Sequence, residues 1–149
     1  MILPQVIAYL VTTFRTVTAF PVFDGPVPAA ANQPDAVLVG STGDDDVDGI
    51  VVELPPSDLG PGTWREEIGE ILCSAWSWDG GDDMTARRSA AIGAAEACIA
   101  AVKADRSLGG ILTPPRLAEA LEVRVLPLQS PSGAIVRVIF AVTYRTLVT

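Results

Sequence analysis

The chain has 149 residues, enough for one domain that buries its own hydrophobic core without disulfides or metals. Hydrophobic residues make up 49%, which excludes a disordered chain, and the 13 glycines and 12 prolines fall between apolar runs, as in short elements joined by ordered turns. A net charge of −8, with Arg87-Arg88 the longest basic stretch, argues against binding to nucleic-acid phosphates and would let a polyanion pass without sticking.

Residues 4–18 have helical spacing, with Val6, Leu10, Phe14 and Val17 on one face and Pro4 in the first turn. Four threonines in this stretch lower its helix propensity, so packing must hold it. Val22-Phe23-Asp24-Gly25 reads as a short strand ending in a turn, and 26–34 as a Pro/Ala-rich connection. Residues 36–40 predict a strand buried on both faces. Residues 41–62 form the longest expected irregular region, holding Asp44, Asp45, Asp46, Asp48 and Pro55-Pro56, with a short apolar patch at Ile50-Val51-Val52.

Residues 63–78 fit two patterns. Trp64, Ile68, Ile71, Leu72, Ala75 and Trp76 suit a helix opened by a Thr63…Glu66 capping box. Ile68, Leu72, Trp76 and Trp78 equally suit one face of a strand. The clearest helix spans 83–105, with Met84, Ala91, Ile92, Ala95, Cys98, Ile99 and Val102 in one stripe, Asp82 or Asp83 as its cap and Gly109-Gly110 beyond its end. The last third predicts a hairpin. Leu121, Val123 and Val125 alternate with Glu122 and Arg124, a turn spans 129–133, and Val136, Val138, Phe140, Val142 and Tyr144 form the inner row of the final strand. Its outer row carries Ile135, Ile139 and Ala141, so that face calls for a cover, either a helix of this chain or a neighbouring subunit.

The chain contains no histidine. That removes His-based general-base catalysis, Ser-His-Asp and Cys-His pairs and His metal ligands. An enzyme would have to use carboxylates such as Glu66, Glu67 and Glu70. Cys73 and Cys98 read as small buried hydrophobes in a protein made in a reducing cytoplasm. The apolar run near Met1 is too short and too Thr-rich to span a bilayer. Asp44, Asp46, Asp48 and Gly49 resemble the start of a Ca²⁺ loop, but Pro55 stands where the bidentate Glu belongs, which favours a solvated loop. Gly80-Gly81-Asp82-Asp83 lacks the Lys-Ser/Thr of a phosphate loop and reads as a capped strand-to-helix turn. Trp76 and Trp78 read either as interface anchors or as core aromatics, Trp76 being the better core member.

The order of parts carries a resemblance. An N-terminal helix precedes Val22-Phe23-Asp24-Gly25-Pro26, then an apolar strand ends at Val39-Gly40. Trp78-Asp79-Gly80-Gly81-Asp82 leads into an Ala-rich helix bearing Arg87, which ends in Asp105-Arg106-Ser107-Leu108-Gly109-Gly110, and the final strand closes on Val142-Thr143-Tyr144-Arg145. This resembles the tail terminator (tail completion) proteins of long-tailed bacteriophages, especially those infecting actinobacteria. The resemblance covers most of the chain and implies a strand over 66–78. It implies a single α+β domain over 1–149: a mixed or antiparallel β-sheet with the N-terminal helix and one long central helix packed on it.

Tail terminators are structural virion proteins assembled in the host bacterial cytoplasm. The resemblance therefore implies a hexameric ring of identical subunits at the neck, capping the tail tube protein and meeting the head-proximal connector, with DNA passing through the lumen. It implies no enzyme activity, no cofactor, no metal and no membrane partner. Subunit or partner contacts are expected at Trp76, Trp78, Arg87, Ile135, Arg137, Ile139 and Arg145, with Asp44, Asp45, Asp46 and Asp48 at the lumen or a partner surface. The competing readings are another neck component (a head-closure or head-to-tail joining protein) and a Ca²⁺-binding module.

Overall fold

The structure is a computed structural model and describes residues 1–27, 34–44, 46–55, 65–113, 116–131 and 133–148, with the backbone alone at 121–123 and 130. Helix α1 (Leu3–Val17) is followed by strands β1 (Val22–Asp24), β2 (Asp35–Val39), β3 (Ile50–Glu53) and β4 (Arg65–Asp79). Helix α2 (Met84–Ala104) then leads to β5 (Glu119–Ser130) and β6 (Gly133–Val148). The six strands form one mixed sheet in the order β1-β2-β4-β6-β5, with β3 also paired to β4. Only the β1–β2 pairing is parallel among the described residues. The fold is α+β.

Residues 65–79 are a strand. β4 pairs with β6 from Arg65 opposite Val148 to Asp79 opposite Ala134, and with β2 and β3 on its other side, so neighbours on both sides satisfy its backbone. Ile71, Cys73 and Ala75 join the core, while Leu72, Ser74 and Trp76 take the opposite face. Both faces of β4 carry apolar residues, which is why its sequence also satisfies helical spacing. Thr63 and Trp64 lie outside the described residues.

The expectation of one irregular region over 41–62 is corrected by β3, which pairs Ile50 with Ile71 and Glu53 with Ile68. Four residues are too few to give a strand period, and Val51 and Glu53 on its exposed side add no contrast. β2 and β3 lie end to end along one edge of β4, and the described residues between them, 41–44 and 46–48, loop out. Leu72 closes the loop, accepting from the Gly40 N–H and donating to the Gly49 carbonyl, each at 2.8 Å. Residues 56–62, and 28–33 of the Pro/Ala-rich connection, lie outside the described residues.

The hairpin is also corrected. The β5–β6 register shifts between Leu121 and Arg124, so the regular alternation expected across 121–125 breaks there. After the shift Val125 faces the helix side, opposite Val138, and Arg124, Leu126 and Leu128 fall opposite Ile139, Arg137 and Ile135. The strand runs on to Ser130, which pairs with Gly133, leaving a shorter turn than the sequence predicts.

The core lies between the sheet and both helices. Val136, Val138, Phe140 and Val142 of β6 meet Val6, Leu10 and Phe14 of α1 and Ala91, Ala95, Cys98 and Val102 of α2. The rings of Phe14 and Phe140 lie 6.1 Å apart, tilted at 58°, and burying each stabilises the fold by about 2–3 kcal/mol. The small residues of α2 allow it to sit close to the strands. Asp83 caps that helix by accepting from the Ala86 N–H at 3.0 Å. Beyond its end, Asp105 accepts from the Ser107 hydroxyl and N–H and the Gly109 N–H, and the Ser107 hydroxyl bond leads in holding its carboxyl below the usual range. That turn keeps Leu108 at φ 52, an uncommon backbone for leucine, with its side chain fully buried.

Burial raises both thiols from an ordinary 9.0 to about 12, aided at Cys73 by the nearby Cys98. Both should resist an aromatic disulfide reagent at pH 8 in the folded protein and react once it is denatured. A fast-reacting thiol in the folded state would contradict this placement. The folded state holds the protons that unfolded thiols release, so this contribution to stability is complete below pH 9 and is lost progressively as pH rises toward 12.

Candidate functional site

Both helices cover the same face of the sheet, and no helix among the described residues covers the other. Side chains alternate along a strand, so the uncovered face is fixed by register. It carries Ile135, Arg137, Ile139, Ala141 and Arg145 from β6, Glu66, Glu70, Leu72, Trp76 and Trp78 from β4, and Arg124, Leu126 and Leu128 from β5. Six of the seven residues expected at contacts therefore share one surface: Trp76, Trp78, Ile135, Arg137, Ile139 and Arg145.

Arg87 does not join them. It rises from α2 on the helix side, where its Nη1 donates to the buried Ser77 hydroxyl at 2.9 Å and lies 3.8 Å from the Asp35 carboxylate. Ser77 in turn donates to Asp35 at 2.6 Å. This cluster ties α2 to β2 and β4, so Arg87 is a structural residue of the subunit. A basic residue on a helix next to a cap gives no sequence sign of which way it reaches.

The uncovered face holds a groove of about 340 Å³. Leu72, Ile139, Ala141 and Leu126 give it an apolar lining, and Arg124 and Arg137 its positive charges. Thr42, Asp44 and Val47 of the 41–48 loop form one rim, with Glu70 nearby. The Arg137 guanidinium passes beneath Gly43, where an added Cβ would lie 3.3 Å from it. The loop is tied down by the Ser74 hydroxyl donating to the Ser41 carbonyl at 3.0 Å. Asp46 and Asp48 are exposed on the same loop, and Asp45 lies outside the described residues. Trp78, Leu126 and Leu128 are 37%, 47% and 59% exposed, a contiguous apolar edge to the groove. Arg145 pairs with Glu66 at 3.2 Å on the solvent side.

Sequence reasoning missed Arg124, Leu126 and Leu128 as parts of this surface, because the register shift that places them is not visible in the residues. It also missed the role of Glu67. This carboxylate is fully buried on the helix face, accepts from the Ile2 and Leu3 N–H groups at 3.2 Å and takes the Tyr144 hydroxyl at 2.7 Å. Helix α1 has no side-chain cap of its own, and β4 supplies one. The sheet thus separates Glu67 from Glu66 and Glu70, and the three carboxylates do not converge.

Among the described residues no three His, Cys, Asp or Glu side chains are placed to hold a metal ion, and no helix is long and apolar enough to cross a membrane. No protein-family model matches the chain, and no curated protein matches it.

Proposed function

We propose that this chain is a structural virion protein, a phage tail terminator whose ring of about six copies caps the finished tail tube, ends tube polymerisation and joins the tail to the head-proximal connector. The observation that carries this reading is the uncovered sheet face. A monomer gains nothing by exposing Trp78, Leu126 and Leu128 beside an arginine-lined groove, whereas a ring subunit needs such surfaces. The fold is α+β, the class that the resemblance drawn from the sequence implies. The net charge of −8 suits a lumen through which DNA slides without binding.

Native mass measurement with negative-stain imaging tests the ring. The expected result is a discrete closed species of about six copies, alone or on added tail tubes. A chain that stays monomeric both alone and with tubes would count against it.

A further inference from the structure

We draw no further inference here: the strongest candidate, the groove between Arg124 and Arg137 on the uncovered sheet face with the exposed Leu126 and Leu128 along its edge, carries none because nothing in the structure shows what covers it.

Discussion

Replacing Glu67 with alanine is expected to destabilise the fold by about 3 kcal/mol or more, seen as a lower urea midpoint. The carboxylate is fully buried and serves the α1 N-terminus and Tyr144 together. Its removal leaves the Ile2 and Leu3 N–H groups and the Tyr144 hydroxyl without an acceptor, and each orphaned donor costs about 1–3 kcal/mol when buried. A small cavity adds to the loss. The arrangement already pushes the Tyr144 hydroxyl above its ordinary range, first through burial and then through its bond to Glu67. Tyr144→Phe removes one donor and leaves the carboxylate its Ile2 and Leu3 N–H partners, so it should cost less, about 1.5–2 kcal/mol for a bond to a charged group. Equal losses in the two variants would contradict the shared-cap account.

Gly49→Ala is the second large effect, expected at about 2–4 kcal/mol. An added Cβ would sit 1.9 Å from the Gly40 carbonyl oxygen and 3.1 Å from the Ser41 Cα. These are backbone atoms at the neck of the 41–48 loop, so no rotamer change relieves the clash. The two strand ends must separate, breaking the hydrogen bonds that Leu72 makes to Gly40 and Gly49. The loop should then lift from Arg137, and limited proteolysis should cut it faster. Gly80→Ala is the matched control, since a Cβ there meets nothing within 4 Å, and it should leave the melting temperature unchanged within error. A Gly49→Ala protein as stable as that control would mean the loop is not pinned in this way.

Legibility in the sequence followed the contrast between faces. α2 and β6 were readable because one row is apolar and the other mixed, and the outer row of β6 pointed to a face in need of a cover. β4 was not readable locally, because apolar residues on both of its faces mimic a helix, and only the resemblance favoured a strand. β3 was too short to show a period. The site was half legible. Trp76, Trp78, Ile135, Arg137 and Ile139 share a face by simple alternation, whereas Arg124, Leu126 and Leu128 join them only through the register shift in β5. Arg87 and Glu67 were opaque for a common reason: each satisfies a partner distant in sequence, Asp35 in one case and the start of α1 in the other. Local pattern carries no information about such pairings.

The most direct test of the terminator reading is the tail-length distribution, by electron microscopy, of particles assembled without this chain. The account predicts over-long tails of widely varying length, because nothing stops tube subunits from adding. Tails of uniform, normal length lying unattached to heads would contradict it and assign the chain to head-to-tail joining instead.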